Sequence, residues 1–135
     1  MRFMMLVYPD HRAEAGEMPG AELVTEMMRF NEELAKAGAL HALDGLHPTS
    51  KGARITYPNR VPKVVDGPFT ESKEVLGGFW IIDVASKEEA IEWAKKVPND
   101  GTGMIEVRQV YEMNDFPQDV QRAAESDIVR EAITK

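Results

Sequence analysis

The stretch from Val64 to Pro98, VVDGPFTESKEVLGGFWIIDVASKEEAIEWAKKVP, limits the folds open to this chain more than any other segment. It sets a rigid turn (Asp66-Gly67-Pro68-Phe69), an uninterrupted apolar strand and a capped helix in one short run. The strand is read from Val75 to Val84, and Gly77-Gly78 within it marks a bulge or the close approach of another backbone. Ser86-Lys87-Glu88-Glu89 is a capping box, the serine accepting from helix amides and the glutamate reaching back from three residues on. Ala90, Ile91, Ala94 and Val97 recur at helical spacing as the buried stripe, and Pro98 ends the helix.

The rest of the chain supplies matching elements. Arg2 to Tyr8 is a strand with apolar residues on both parities, Phe3, Met5 and Val7 against Met4, Leu6 and Tyr8, which predicts burial on two faces. A loop with Pro9, Gly16, Pro19 and Gly20 leads to a helix from Ala21 to Ala37. Its stripe is Leu23, Met27, Phe30 and Leu34, flanked by Val24, Met28 and Ala35, and Gly38 ends it in a left-handed cap. A short strand runs from Ala39 to Leu43. Arg54 to Tyr57 and Val61 to Val65 pair as a small hairpin across Pro58-Asn59-Arg60, with Pro62 at an edge or at the first strand position. Met104 to Tyr111 is the last strand.

The order is β-α-β, a hairpin insertion, then β-α-β: an α+β, ferredoxin-like arrangement with an antiparallel sheet. Two helices cover one sheet face. Met4, Leu6, Phe79 and Ile81 fall on the other, and an apolar face of that kind is an association site. The expected partner is a second copy, giving a homodimer packed sheet against sheet.

A length of 135 residues fits one domain, 1–135, with a core of about residues 1–113 and a helical tail over 114–135. In the tail Val120, Ala124, Ile128 and Ala132 recur at helical spacing, a thin stripe that either docks on the partner or frays. The absence of cysteine removes disulfides, thiolate metal sites and cysteine nucleophiles together. The net charge of −7, from 16 basic and 23 acidic residues, repels a phosphate backbone, so nucleic acid is not an expected partner. The opening MRFMMLVYPD has too short an apolar run for a signal peptide, and no run approaches the roughly 20 residues of a membrane span, which makes the cytoplasm the expected location.

Chemistry-bearing candidates are few. His41, Asp44 and His47 lie within seven positions on a strand end and its loop. Imidazole titrates near neutrality and a carboxylate can orient it, so the trio fits either acid–base chemistry or a strand histidine with a loop histidine before Pro48. A divalent metal would need a third ligand, Asp66 or Glu71, and a spacing of six is no recognised metal signature; no metal or other cofactor is expected. Asp66 before Gly67-Pro68 is suited to an Asx turn, or to a ligand if it points into a cavity between subunits. Glu106 and Arg108 share one face of the last strand, as a structural ion pair or a site for a carboxylate-bearing ligand. Glu71 and Lys73 read as solvated charges. No phosphate-binding glycine loop and no serine nucleophile elbow is present.

Asp66-Gly67-Pro68-Phe69, the Lys73-Glu74-Val75-Leu76-Gly77-Gly78-Phe79 run, Glu88 to Ala94, Leu43-Asp44-Gly45-Leu46-His47-Pro48 and Glu106-Val107-Arg108-Gln109-Val110 together resemble the DGPF-motif branch of the YCII-related family. The resemblance spans roughly Arg2 to Met113 and implies a dimeric α/β barrel. Most relatives of this kind have no known function; some are encoded near, or fused to, extracytoplasmic-function sigma factors, which implies a regulatory or detoxifying setting. YCII proteins of the original type carry a histidine in the first helical region and an aspartate after the second helix, proposed as a catalytic pair. Glu22 to Ala37 holds no histidine, while Asp100 follows Pro98-Asn99 near the aspartate's place. Two functions follow as expectations: a small-molecule-binding or regulatory module with a cleft near the dimer interface, and alternatively a cofactor-free enzyme using histidine and aspartate there.

Overall fold

The computed structural model describes residues 1–69 and 75–133. Glu71 and Lys73 lie outside them. The strands are β1 (Arg2–Tyr8), β2 (Leu40–Gly45), β3 (Ala53–Thr56), β4 (Lys63–Asp66), β5 (Gly78–Asp83) and β6 (Met104–Gln109). The helices are α1 (His11–Glu14), α2 (Ala21–Lys36), α3 (Lys87–Lys95), α4 (Gln118–Ala123) and α5 (Asp127–Ile133). β2, β5, β1 and β6, in that order, form an antiparallel four-stranded sheet, and β3 with β4 forms a separate two-stranded one. The α+β fold and antiparallel sheet expected from the sequence are therefore present, with the ferredoxin-like strand order.

The two parities of the central strands separate as expected. Phe3 and Met5 on β1 and Trp80 and Ile82 on β5 are buried, Met5 and Ile82 completely. They meet Phe30 and Leu34 of α2 and Ala90 of α3. Each such large side chain contributes about 1.5–3 kcal/mol by leaving water. Phe30 stands edge-on to Trp80 and Trp93, with ring centroids 5.4 and 6.2 Å away. Met4, Leu6, Phe79 and Ile81 alternate with these residues and are only half-buried on the opposite face.

Gly38 at φ 71° ends α2 in a full Schellman motif: Ala39 N donates to Leu34 O at 2.9 Å and Gly38 N to Ala35 O at 3.0 Å. The cap turns Ala39 into the core beside Leu34, so one glycine both stops the helix and starts β2 in register. Ser86 Oγ accepts from Glu89 N at 3.2 Å, while Glu89 Oε2 accepts from Ala85 N at 2.9 Å, one residue earlier than a standard box requires.

Four details differ from the sequence reading. A short helix, α1, sits in the loop after β1 because the Asp10 carboxylate accepts from Ala13 N at 2.9 Å and caps it. β5 begins at Gly78 rather than at Val75, although Val75 is buried. The register irregularity lies in β2, where Leu40 pairs with Ile82 and Ala42 with Ile81, leaving His41 as the extra residue. Gly78 instead marks a close approach: a β-carbon there would stand 2.8 Å from Asp44 O. In the tail, the helical pattern is split into α4 and α5, and Ser126 Oγ accepts from Val129 N at 3.3 Å at the start of α5.

The Asp66–Phe69 turn is held from below by the loop after β2. Gly67 N donates to Gly52 O at 3.0 Å and Phe69 N to Thr49 Oγ1 at 3.1 Å, and a β-carbon on Gly67 would collide with the Thr49 carbonyl. Thr49 N in turn donates to Glu14 Oε1 of α1 at 2.6 Å, and the Arg54 guanidinium lies 3.9 Å over the Phe69 ring. The turn thus locks the hairpin, the β2–β3 loop and α1 together.

Candidate functional site

A cleft of about 1190 Å³ opens at the end of the sheet where β1 and β2 finish and β5 and β6 begin. Two features of the local sequence make the space. Burial along α2 increases toward its C-terminal half: Phe30 and Leu34 are buried, whereas Leu23 near the start is 38% exposed. The helix therefore stands away from the sheet at its N-terminal end, where Gly20 supplies no side-chain cap. Beneath it Gly45 pairs with Gly78, and Gly78 with Val7, so two neighbouring sheet positions carry no side chain.

Val7, Trp80 and Ile105 form an apolar floor, Leu23 and Met27 of α2 form one wall, and Phe79, from the opposite sheet face, reaches the rim. Asn31 also lines that wall, and its Oδ1 accepts from Trp80 Nε1 at 2.8 Å. At the mouth four side chains tie the loop after β1 to the loop before β6. Arg12 Nη2 lies 3.3 Å from Asp10 Oδ2 and 2.8 Å from Asp100 Oδ2, and the Thr102 hydroxyl donates to Asp100 Oδ1 at 2.6 Å. The Asp10 carboxyl is held below its ordinary pKa first by the Ala13 amide and then by Arg12. Asp100 is lowered first by the hydroxyl and amide of Thr102. Tyr8, whose hydroxyl donates to Glu106 Oε1 at 3.3 Å, borders the cleft, and partial burial raises its pKa, with Glu106 adding to the effect.

Of the residues singled out from the sequence, Asp44 lines the cleft. His41 is exposed at the β2 bulge and His47 is exposed in the following loop; neither belongs to the cleft lining. Asp66 is exposed at the end of β4, outside the lining. Glu106 and Arg108 face outward on the uncovered sheet face, 3.9 Å apart, with Arg108 largely in solvent. Among the described residues there is no group of three or more histidine or acidic side chains placed to hold a metal.

Sequence reasoning passed over Tyr8, Asp10, Arg12, Asn31 and Thr102, and weighed Asp100 only through the family pattern. Asp10 carried a legible signal, an aspartate three residues before an amide it can cap. Asn31 and Thr102 carried none, because their meaning comes from Trp80 and Asp100 being brought to them by the fold.

The sequence profile of the YCII-related domain matches residues 1–114. The chain is also 30% identical, over 123 residues, to an uncharacterized protein of Rhizobium meliloti (strain 1021), covering 87% of this chain and 99% of that one. No helix among the described residues is long and apolar enough to cross a membrane.

Proposed function

The chain belongs to the YCII-related family, and from that premise we propose that it is a DGPF-branch homodimer that binds a small molecule in the cleft at the sheet end. The cleft carries this reading. Its floor is apolar, a few polar groups converge on it, and its volume suits an organic ligand rather than an ion. The second copy is assigned to the uncovered face because Met4, Leu6, Phe79 and Ile81 form a contiguous apolar surface across neighbouring strands. Tyr8, Phe79 and Asp44 belong both to that face and to the cleft rim, so a partner seated there would border the ligand.

No observation favours acid–base catalysis by His41 or His47, since both are exposed and away from the lining. The test is a thermal-shift screen across metabolite classes together with sedimentation at low micromolar concentration. A bound ligand raises the melting temperature by mass action, and that gain disappears in Met27→Trp, which fills the cleft. A stable monomer removes the dimer; gains that persist in Met27→Trp remove the cleft.

A further inference from the structure

One directional group on the cleft wall is an amide whose orientation the chemistry itself determines. An indole N–H only donates, so the Asn31 atom that faces Trp80 Nε1 at 2.8 Å is the carbonyl oxygen. The Asn31 amide nitrogen is therefore on the other branch, where among the described residues it meets the Met28 sulfur at 3.8 Å, a weak acceptor, and nothing else. A half-buried side chain on the cleft wall is left with N–H groups lacking a strong acceptor among the described residues.

The charges around the rim decide what kind of acceptor suits it. Arg12 is the one basic residue among the described residues of the lining, and its guanidinium is already engaged by Asp10 and Asp100. Asp10, Glu17, Asp44 and Asp100 leave the lining net acidic, which disfavours an anion. Three of those four, Glu17, Asp44 and Asp100, are exposed, so water screens both their repulsion of an anion and their attraction for a cation, and neither charge is strongly selected. The apolar floor of Trp80, Val7 and Ile105 favours an uncharged body.

We propose that the cleft takes an uncharged, largely apolar molecule bearing a carbonyl oxygen, and that the Asn31 amide, oriented by Trp80, is the group that selects that oxygen. This rests on the cleft being the ligand site. Asn31 has two separable tasks: its oxygen satisfies the buried indole, and its nitrogen meets the ligand. Asn31→Asp keeps the first and abolishes the second.

Four probes of one framework test the assignment by calorimetric titration: benzophenone, diphenylmethane, benzhydrylamine and 4-benzoylbenzoate. The expected result is that Asn31→Asp weakens benzophenone roughly tenfold, as loss of one hydrogen bond does, and leaves diphenylmethane unchanged. Asn31→Ala gives the same pattern, and 4-benzoylbenzoate binds the native protein more weakly than benzophenone. Comparing each probe with itself across variants removes their difference in hydrophobicity. Equal losses for ketone and hydrocarbon, or tightest native binding by benzhydrylamine, overturn the proposal. Irradiation of bound benzophenone separates the two levels of inference. Labelling of α2 or β5 at the cleft with no Asn31 dependence sinks only the selectivity; labelling elsewhere, or no binding by any probe, sinks the selectivity and the cleft with it.

Discussion

Arg2 at the start of β1 and Glu112 beyond the end of β6 are joined by two hydrogen bonds, from Arg2 Nε to Oε1 at 2.7 Å and from Nη2 to Oε2 at 3.1 Å. This fork joins residues 110 positions apart and fastens the chain after the last strand to the central strand of the sheet. Arg2 holds Glu112 below its ordinary pKa, as Ala13 and Arg12 hold Asp10 and Thr102 holds Asp100. All three carboxyls release their proton more readily folded than unfolded. Their contribution is complete above the ordinary carboxylate range and is lost as pH falls through the lowered folded values.

Thermal melts between pH 7 and pH 3 are therefore expected to be flat down to about pH 5 and to fall below it. Glu112→Gln is expected to lower the melting temperature at neutral pH and to reduce the acid-side loss. An unchanged acid slope in that variant would show that the Arg2 fork contributes nothing to it.

Gly67 and Gly45 make a matched pair for the turn. A β-carbon on Gly67 meets the Thr49 carbonyl, while one on Gly45 meets nothing within 4 Å. Urea denaturation is expected to show Gly67→Ala destabilised by about 1–3 kcal/mol and Gly45→Ala within about 0.5 kcal/mol of the native protein. Equal effects would mean that the turn is not locked against Thr49.

Leu34 and Leu23 occupy the same stripe of α2 but different surroundings, one fully buried and the other on the cleft wall. Leu34→Ala is expected to cost about 2–5 kcal/mol in denaturant midpoint analysis. Leu23→Ala costs about 1 kcal/mol or less and reveals itself instead as weaker binding in the cleft. A large stability loss from Leu23→Ala would place that residue in the core.

Ile81 lies on the uncovered face opposite Met4 and Ala42. Ile81→Lys is expected to convert the proposed dimer to a folded monomer, with native circular dichroism and half the sedimenting mass. A dimer that survives the charge uses some other surface.

No histidine lines the cleft, and partial burial moves Tyr8 above its ordinary range. Benzophenone binding is therefore expected to vary little between about pH 5 and pH 8, and to be unchanged in His41→Ala and His47→Ala. A binding transition near pH 6.5 that disappears in either variant would return histidine to the site.

Local elements were legible in the residues because local physics makes them. Gly38 at the end of an apolar helical stripe, Ser86 three residues before Glu89, and Pro58-Asn59-Arg60 between two strands each specify geometry through neighbours a few positions away. The alternation of Met4 and Leu6 with Phe3 and Met5 carried the two-faced sheet for the same reason. His41 and His47 drew attention by residue type, yet residue type says nothing of direction, and the β2 bulge leaves His41 exposed.

The amino-acid order alone determined the α+β class, the antiparallel pattern and which helix faces are apolar, since these follow from periods of two and 3.6 residues. Tertiary structure alone decided that α2 lifts from the sheet at its start, that Arg12 is shared by Asp10 and Asp100, and that Asn31 answers Trp80. Those relations join segments tens of residues apart. Hydrogen bonding and charge pairing act across distances in space that no short window of sequence contains.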